Sequence, residues 1–121
     1  MNKLIKIINL QKRFKSKNNV NIEVIKNLSL ELDQNTIISI VGPSGSGKTT
    51  LLNIIGLLDT DFLGEYYFNS KNVLENNPRE LSNLRGSCVG FIHQFFYLIP
   101  ELNSLENVML PILINSPNSK K

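Results

Sequence analysis

Apolar and polar positions set out a series of short elements along the chain. Leu4, Ile5, Ile7, Ile8 and Leu10 form a run interrupted by Lys6 and Asn9, which predicts a first strand over 4–10. Residues 11–19 are basic and polar with one aromatic, Phe14, and read as a loop. Residues 20–25 and 28–32 read as two further strands. In the second, Leu28, Leu30 and Leu32 alternate with Ser29, Glu31 and Asp33, the period of a half-buried strand. Asp33-Gln34-Asn35 predicts a turn. Thr36-Ile37-Ile38-Ser39-Ile40-Val41 is rich in β-branched residues and predicts a buried strand. A helix apolar on most sides is expected over 50–58. A loop at 59–61 leads to Gly64 and a strand over Glu65-Tyr66-Tyr67-Phe68.

The second half carries clearer start signals. In Asn77-Pro78-Arg79-Glu80, Asn77 can cap a helix, Pro78 suits its first position and Glu80 can close a capping box. Leu81 and Leu84 then point inward, and Arg79, Glu80 and Arg85 form a solvated face. Cys88-Val89-Gly90-Phe91-Ile92 reads as a strand, with His93 and Gln94 at its carboxyl end. Ligands collect at such strand ends in open α/β sheets, which singles out Gln94. A lone histidine there more often packs or faces solvent than does chemistry. Ser104 is expected to cap a helix over 105–110 that Pro111 ends or kinks. Residues 116–121 read as a polar tail.

One stretch carries chemistry. Gly42-Pro43-Ser44-Gly45-Ser46-Gly47-Lys48-Thr49 fits G-x-x-x-x-G-K-[ST], and it lies between a predicted strand and a predicted helix. Nucleotide phosphates are a dense anion. Glycines let the backbone curl around them, successive N–H groups make an anion-binding concavity, and the helix that follows presents its positive end to the same charge. Lys48 is placed to reach the β- and γ-phosphates. The Thr49 hydroxyl is a hard oxygen ligand of the kind Mg²⁺ takes, and Thr50 continues the same helical turn. Guanine-specific and kinase variants of such loops need an Asn-Lys-x-Asp reader, or a base and lid arginines. No such reader is present.

Composition changes this picture little. The chain has 121 residues, the size of one domain at most, and its 41% hydrophobic and 19% charged residues are those of a globular protein. A net charge of +3 from scattered lysines gives no nucleic-acid patch. The single cysteine, Cys88, rules out an internal disulfide, suits a reducing compartment, and lies in an apolar stretch where a buried thiol is expected. The longest apolar run, 108–114, is far short of the ~20 residues a membrane span requires. The N-terminus lacks the uninterrupted apolar stretch of a signal peptide.

The sequence resembles the nucleotide-binding subunit of ABC transporters. The stretch from Ile40 to Asn53 is similar to that family's phosphate loop and helix. Phe14 stands where the family places an aromatic that stacks on adenine. Gln94, after Gly90-Phe91-Ile92-His93, stands where it has a glutamine that contacts Mg²⁺ and water and couples to the transmembrane subunit. Ile54-Ile55-Gly56-Leu57-Leu58-Asp59, Leu98-Ile99-Pro100-Glu101-Leu102 and Glu106-Asn107-Val108-Met109-Leu110-Pro111 resemble the lipoprotein-releasing subgroup, whose relatives include macrolide exporters and a cell-division ATPase.

The resemblance implies an α/β fold: a truncated P-loop NTPase core of the ABC ATPase type, preceded by an antiparallel β subdomain, with residues 1–121 forming part of a nucleotide-binding domain. It implies ATP and Mg²⁺ as ligands. Phe14, Gly42, Pro43, Ser44, Gly45, Ser46, Gly47, Lys48, Thr49 and Thr50 would bind nucleotide. Thr49 and Gln94 would face the metal, and Lys48 and Gln94 would serve catalysis. The implied partners are a transmembrane subunit and a second nucleotide-binding subunit, with the chain on the cytoplasmic face of the inner membrane.

Several positions depart from the family pattern. Asn35-Thr36 replace the usual Gly-Glu, Ser70 replaces a turn glycine, and Phe14 replaces the commoner tyrosine. The signature motif, the acidic strand and the switch histidine do not occur in these residues. The expectation is therefore a chain that binds ATP without turning it over alone. An alternative is a non-catalytic fragment that docks on a transmembrane subunit. Exposed apolar sheet edges are expected to make it marginally stable.

Overall fold

The computed structural model describes residues 3–115. The polar tail expected at 116–121 lies outside them. The chain divides into two compact units, one reaching to Leu81 and the other beginning at Ser82.

The first unit is built on a meander. β1 (Ile5–Lys15) and β2 (Asn21–Leu32) form a long antiparallel hairpin, closed by Lys15 opposite Asn21. β3 (Leu63–Phe68) pairs antiparallel with the other edge of β1, and the short β4 (Lys71–Asn72) follows, giving the order β2-β1-β3-β4. The expected loop at 11–19 is thus mostly strand. Its polar residues pair all the same, because Lys12 and Phe14 continue the side-chain alternation of β1 opposite Ile25 and Ile22. The two strands expected over 20–32 are one. Asn27, at φ 49, absorbs the irregularity that reads as a break in the sequence.

The register slips between Ile7 and Leu10, where Asn9 takes φ 52 and its amide bonds to Ser29 Oγ at 3.0 Å. Such a bulge bends the strand. Gly64 of β3, at φ 107, lies against it; a Cβ there would meet the Asn9 carbonyl oxygen at 2.6 Å. The β3–β4 turn runs through Asn69 (φ 48) and Ser70 (φ 64), so the serine adopts the left-handed conformation expected of glycine. Asn35 (φ 58) likewise keeps its turn.

α1 (Lys48–Ile55) lies on this sheet. Leu51, Ile54 and Leu57 at α1 and Ile7, Leu10 and Tyr66 of the sheet are all buried and belong to the apolar core. The Tyr66 hydroxyl donates to the Ile55 carbonyl at 2.7 Å, which closes the end of α1; burial pushes its phenol well above the ordinary tyrosine range. Gly56 and Leu57 (φ 63) then stop the helix, short of the Leu58 expected from sequence.

Two expected strands do not form. Residues 36–41 join no sheet, with Ile37 98% and Val41 87% exposed. A strand exists only where a neighbour accepts and donates its hydrogen bonds, and none of the described residues does so here. Likewise Cys88 ends a helix rather than opening a strand. α2 (Pro78–Cys88) runs through Gly86 and Ser87, leaving the thiol exposed and residues 89–93 without sheet partners. The expected capping box is present. Asn77 Oδ1 accepts from the amides of Arg79 and Glu80, both at 3.0 Å, and Glu80 accepts from the Asn77 amide at 2.8 Å. Leu81 is buried and Leu84 half-buried.

In the second unit, α3 (Ser104–Asn115) is capped by Asn103, not by Ser104. Asn103 Oδ1 accepts from the Glu106 amide at 2.9 Å, and Glu106 returns the bond at 2.8 Å. Pro111 lies inside the helix and does not end it. Its missing N–H removes one helical bond. Asn107 ties the preceding loop to α3. Its side chain accepts from the Ile99 amide at 2.9 Å and donates to the carbonyls of Leu102 and Asn103, both at 3.0 Å.

Candidate phosphate-binding site

The loop 42–49 is built by its glycines and by what surrounds them. Gly45 sits at φ 78 and Gly47 at φ 90, and Gly47 is the N-cap of α1. Free rotation alone accounts for Gly45, since a Cβ there would meet nothing within 4 Å. Gly47 is required twice over. A Cβ would come 2.8 Å from Val24 Cγ1 and 3.1 Å from the Val24 carbonyl oxygen. Val24 of β2 therefore sets how closely helix α1 approaches the sheet. Sequence reading did not single it out, and only its β-branched character on a strand beside the loop could have pointed to it.

The loop curls as the motif demands. The Ser46 amide is satisfied by the Pro43 carbonyl at 3.3 Å. Among the described residues, the amides of Gly45, Gly47, Lys48 and Thr49 have no protein partner. They belong to the wall of an open cleft of about 480 Å³, lined by Ser44, residues 47–50 and Val24. Thr49 is exposed and Thr50 half-buried at its edge. Unpartnered amides at a helix N-terminus are what an anion satisfies, so the residues present fit a phosphate chain. Lys48 folds back over the loop. Its ammonium donates to the carbonyls of Gly42 at 2.9 Å and Pro43 at 2.7 Å. On the other side of the loop a second cleft, about 360 Å³, is lined by apolar residues including Ile25, Leu28, Val41 and Leu51.

Phe14 is 43% exposed and stands outside the cleft lining. One face of its ring is covered by the Lys12 ammonium, 4.9 Å from the centroid. Lys12 is 3% exposed, and its nitrogen lies 2.9 Å from both carboxylate oxygens of Asp59 and 3.2 Å from Asp61. It also donates to the Asp61 carbonyl. Burial lowers its pKa, but the hydrogen bonds to Asp59 and Asp61 outweigh that and hold it above the ordinary lysine value. Gln94 is exposed in the second unit, in a bend after His93. The His93 ring stacks on Phe91 at 5.5 Å and meets Tyr97 edge-on at 4.9 Å.

Residues 25–121 match the ABC transporter family. The chain belongs to that family. Among its relatives are the lipoprotein-releasing system ATP-binding proteins LolD of Aquifex aeolicus and Bacteroides thetaiotaomicron. The first is 50% identical over 91 residues, 75% of this chain and 41% of that protein. The second is 42% identical over 118 residues, 98% of this chain and 52% of that protein. The ATP-binding cassette MJ0796, solved as a dimer in a post-hydrolysis state bound to ADP and Pi, superposes with a TM-score of 0.86 at 38% identity. That match covers 97% of this chain and 50% of the solved one. The chain therefore has the ABC ATPase fold and spans about half the length of the relatives it matches. Of the described residues, no helix is long and apolar enough to cross a membrane.

Proposed function

We propose that this chain is the nucleotide-holding part of the ATP-binding subunit of a lipoprotein-releasing ABC transporter. The observation that carries the reading is the set of unpartnered amides of Gly45, Gly47, Lys48 and Thr49 around an open cleft at the start of α1. ATP's phosphates replace water on these amides. Lys48 swings from the Gly42 and Pro43 carbonyls to the β- and γ-phosphates. Ser44 lines the cleft, and Gly42, Pro43 and Ser46 complete the loop that closes around the phosphates. The Thr49 hydroxyl would hold Mg²⁺, which would supply positive charge against that of the phosphates. Thr50 packs behind it. Phe14 offers its free face to adenine. Gln94 positions water and the metal, and carries the state of the site to the membrane partner.

In this reading the chain by itself holds ATP without turning it over, and no carboxylate lines the cleft among the described residues. Turnover in the whole assembly takes a second nucleotide-binding subunit; MJ0796, at TM-score 0.86, is described as dimeric. A transmembrane subunit holds the chain at the cytoplasmic face of the inner membrane. Macrolide-export and cell-division ATPases share the same site, and the lipoprotein-releasing assignment follows the relatives.

Lys48→Ala tests the reading. It removes charge-assisted contacts of roughly 1.5–3 kcal/mol, so ATP affinity should fall about 10- to 100-fold by calorimetry. Unchanged affinity would refute it. Phosphate release by the chain alone should stay at the level of buffer.

A second reading rests on the second unit, which exposes Phe96, Leu98, Val108 and Ile112 at 65–91%. In it the chain is a non-catalytic docking piece for a transmembrane subunit. Capture of that subunit unaltered by Lys48→Ala, with no effect of ATP, would favour it.

A further inference from the structure

We infer that Lys12 is a positioning residue for the nucleotide base: pinned by Asp59, its ammonium fixes the Phe14 ring from behind and sets the face on which adenine stacks. The inference rests on the nucleotide-binding reading above, which gives the base to Phe14, and adds the residue that acts through that ring.

Lysine is almost never fully buried unless it is paired. Lys12 is 3% exposed, and its nitrogen lies 2.9 Å from both carboxylate oxygens of Asp59. Asp59 is itself held. Its Oδ1 accepts from the Asp61 amide at 2.9 Å, and its own amide, with that of Leu58, donates to the Asn53 carbonyl of α1 at 3.2 and 2.8 Å. The ammonium therefore has little freedom to move. Apolar side chains in the same space would avoid the cost of desolvating two charges. What the ion pair adds that packing cannot is a fixed positive charge, 4.9 Å from the Phe14 centroid.

Phe14 needs such a hold. It is next to last in β1, 43% exposed, and paired with Ile22, which is 53% exposed. A ring so placed has little apolar packing to choose its rotamer. A cation over one face does two things. It ties the ring toward Lys12, so that the opposite face is the one offered to a base. It also draws π density toward itself, which leaves the opposite face less negative and less repulsive to the π cloud of adenine.

The same contacts relate the two ends of the nucleotide. α1 begins at the phosphate loop, and Asp59 follows its end. Lys12 thus fastens the strand that carries Phe14 to the helix whose first turn seats the phosphates. The stacking face and the loop amides are held at one spacing. A ligand without a base makes no use of that spacing.

Calorimetry on the 121-residue chain tests this with two probes, ATP and inorganic tripolyphosphate, which carries the phosphates without the base. Lys12→Met should lower ATP affinity about tenfold, the loss of a desolvated cation–π contact, and tripolyphosphate affinity less than about twofold. Phe14→Leu should also lower ATP affinity about tenfold. Because Lys12 acts through the ring, the double variant should bind ATP within about twofold of Phe14→Leu. A lysine that served stability alone would add its loss in full and weaken both probes alike. Where Lys12→Met does not fold, Asp59→Asn carries the test. It keeps an oxygen for the Asp61 amide but loosens the ammonium, and should lower ATP affinity about threefold while sparing tripolyphosphate. Full additivity, equal losses for the two probes, or ATP affinity that falls in Phe14→Leu but not in Lys12→Met would overturn this inference and leave the nucleotide reading standing. ATP binding indifferent to Phe14→Leu would take the base away from Phe14 and overturn it as well. Binding of neither probe by the unaltered chain would remove the nucleotide reading and this inference with it.

Discussion

Gly45 and Gly47 offer a controlled comparison, because both sit in the left-handed region and only one is crowded. Placing a Cβ at φ 78 in Gly45→Ala costs the left-handed penalty alone, about 1–2 kcal/mol, since no atom lies within 4 Å of it. Gly47→Ala carries the same penalty at φ 90 and adds a contact 2.8 Å from Val24 Cγ1. Overpacking of that kind costs about 1–3 kcal/mol, for a total of about 2–5 kcal/mol. If the strain falls on the phosphate-holding conformation, ATP affinity should drop about 5- to 30-fold in Gly45→Ala and more than about 30-fold in Gly47→Ala. Calorimetric titration of the two variants reads the difference directly. Val24→Ala in the Gly47→Ala background should recover only part of the loss, because the Val24 carbonyl remains 3.1 Å from the new methyl group. Equal losses at both glycines, or full recovery on trimming Val24, would refute the claim that β2 sets the approach of α1 to the sheet.

Two further outcomes are expected. Lys12→Met leaves Asp59 without its partner at 2.9 Å and should cost about 1.5–3 kcal/mol in urea unfolding. The folded pKa of Lys12 is raised above 10.5, so this stabilisation is complete below that pH and is lost as pH rises through the folded pKa; the gap between wild type and variant should hold at neutral pH and narrow only in strongly alkaline solution. Asn107→Ala should speed hydrogen exchange at the Ile99 amide, whose acceptor at 2.9 Å is the Asn107 side chain. Asn107→Asp should do worse at the Leu102 and Asn103 carbonyls, where it sets an oxygen against acceptors now at 3.0 Å.

What could be read from the sequence was whatever is encoded locally. The loop 42–49 was legible because glycine spacing dictates backbone conformation, and the Asn77–Glu80 box because cap and partner are three residues apart. The same spacing in Asn103–Glu106 was present but overlooked beside Ser104. Residues 36–41 and 89–92 misled because β-branched character reports suitability for a sheet, while a sheet needs neighbours from elsewhere. Lys12 misled in the other direction. A basic residue in a polar stretch reads as loop, and only Asp59 and Asp61, nearly fifty positions away, make its burial tolerable. Where Phe14 sits relative to the loop depends on such distant contacts and had no local trace.

The folded-back Lys48 changes what arrival of a triphosphate means. With its ammonium resting on the carbonyls of Gly42 and Pro43 at 2.9 and 2.7 Å, the loop supplies cation-to-oxygen contacts of its own that brace its curl. Binding is thus an exchange of acceptors rather than a fresh gain, and its enthalpy should be smaller than a count of new contacts implies. In the reading proposed above, the same side chain braces the loop and holds the phosphates, so replacing it should leave a loop that is looser as well as less attractive.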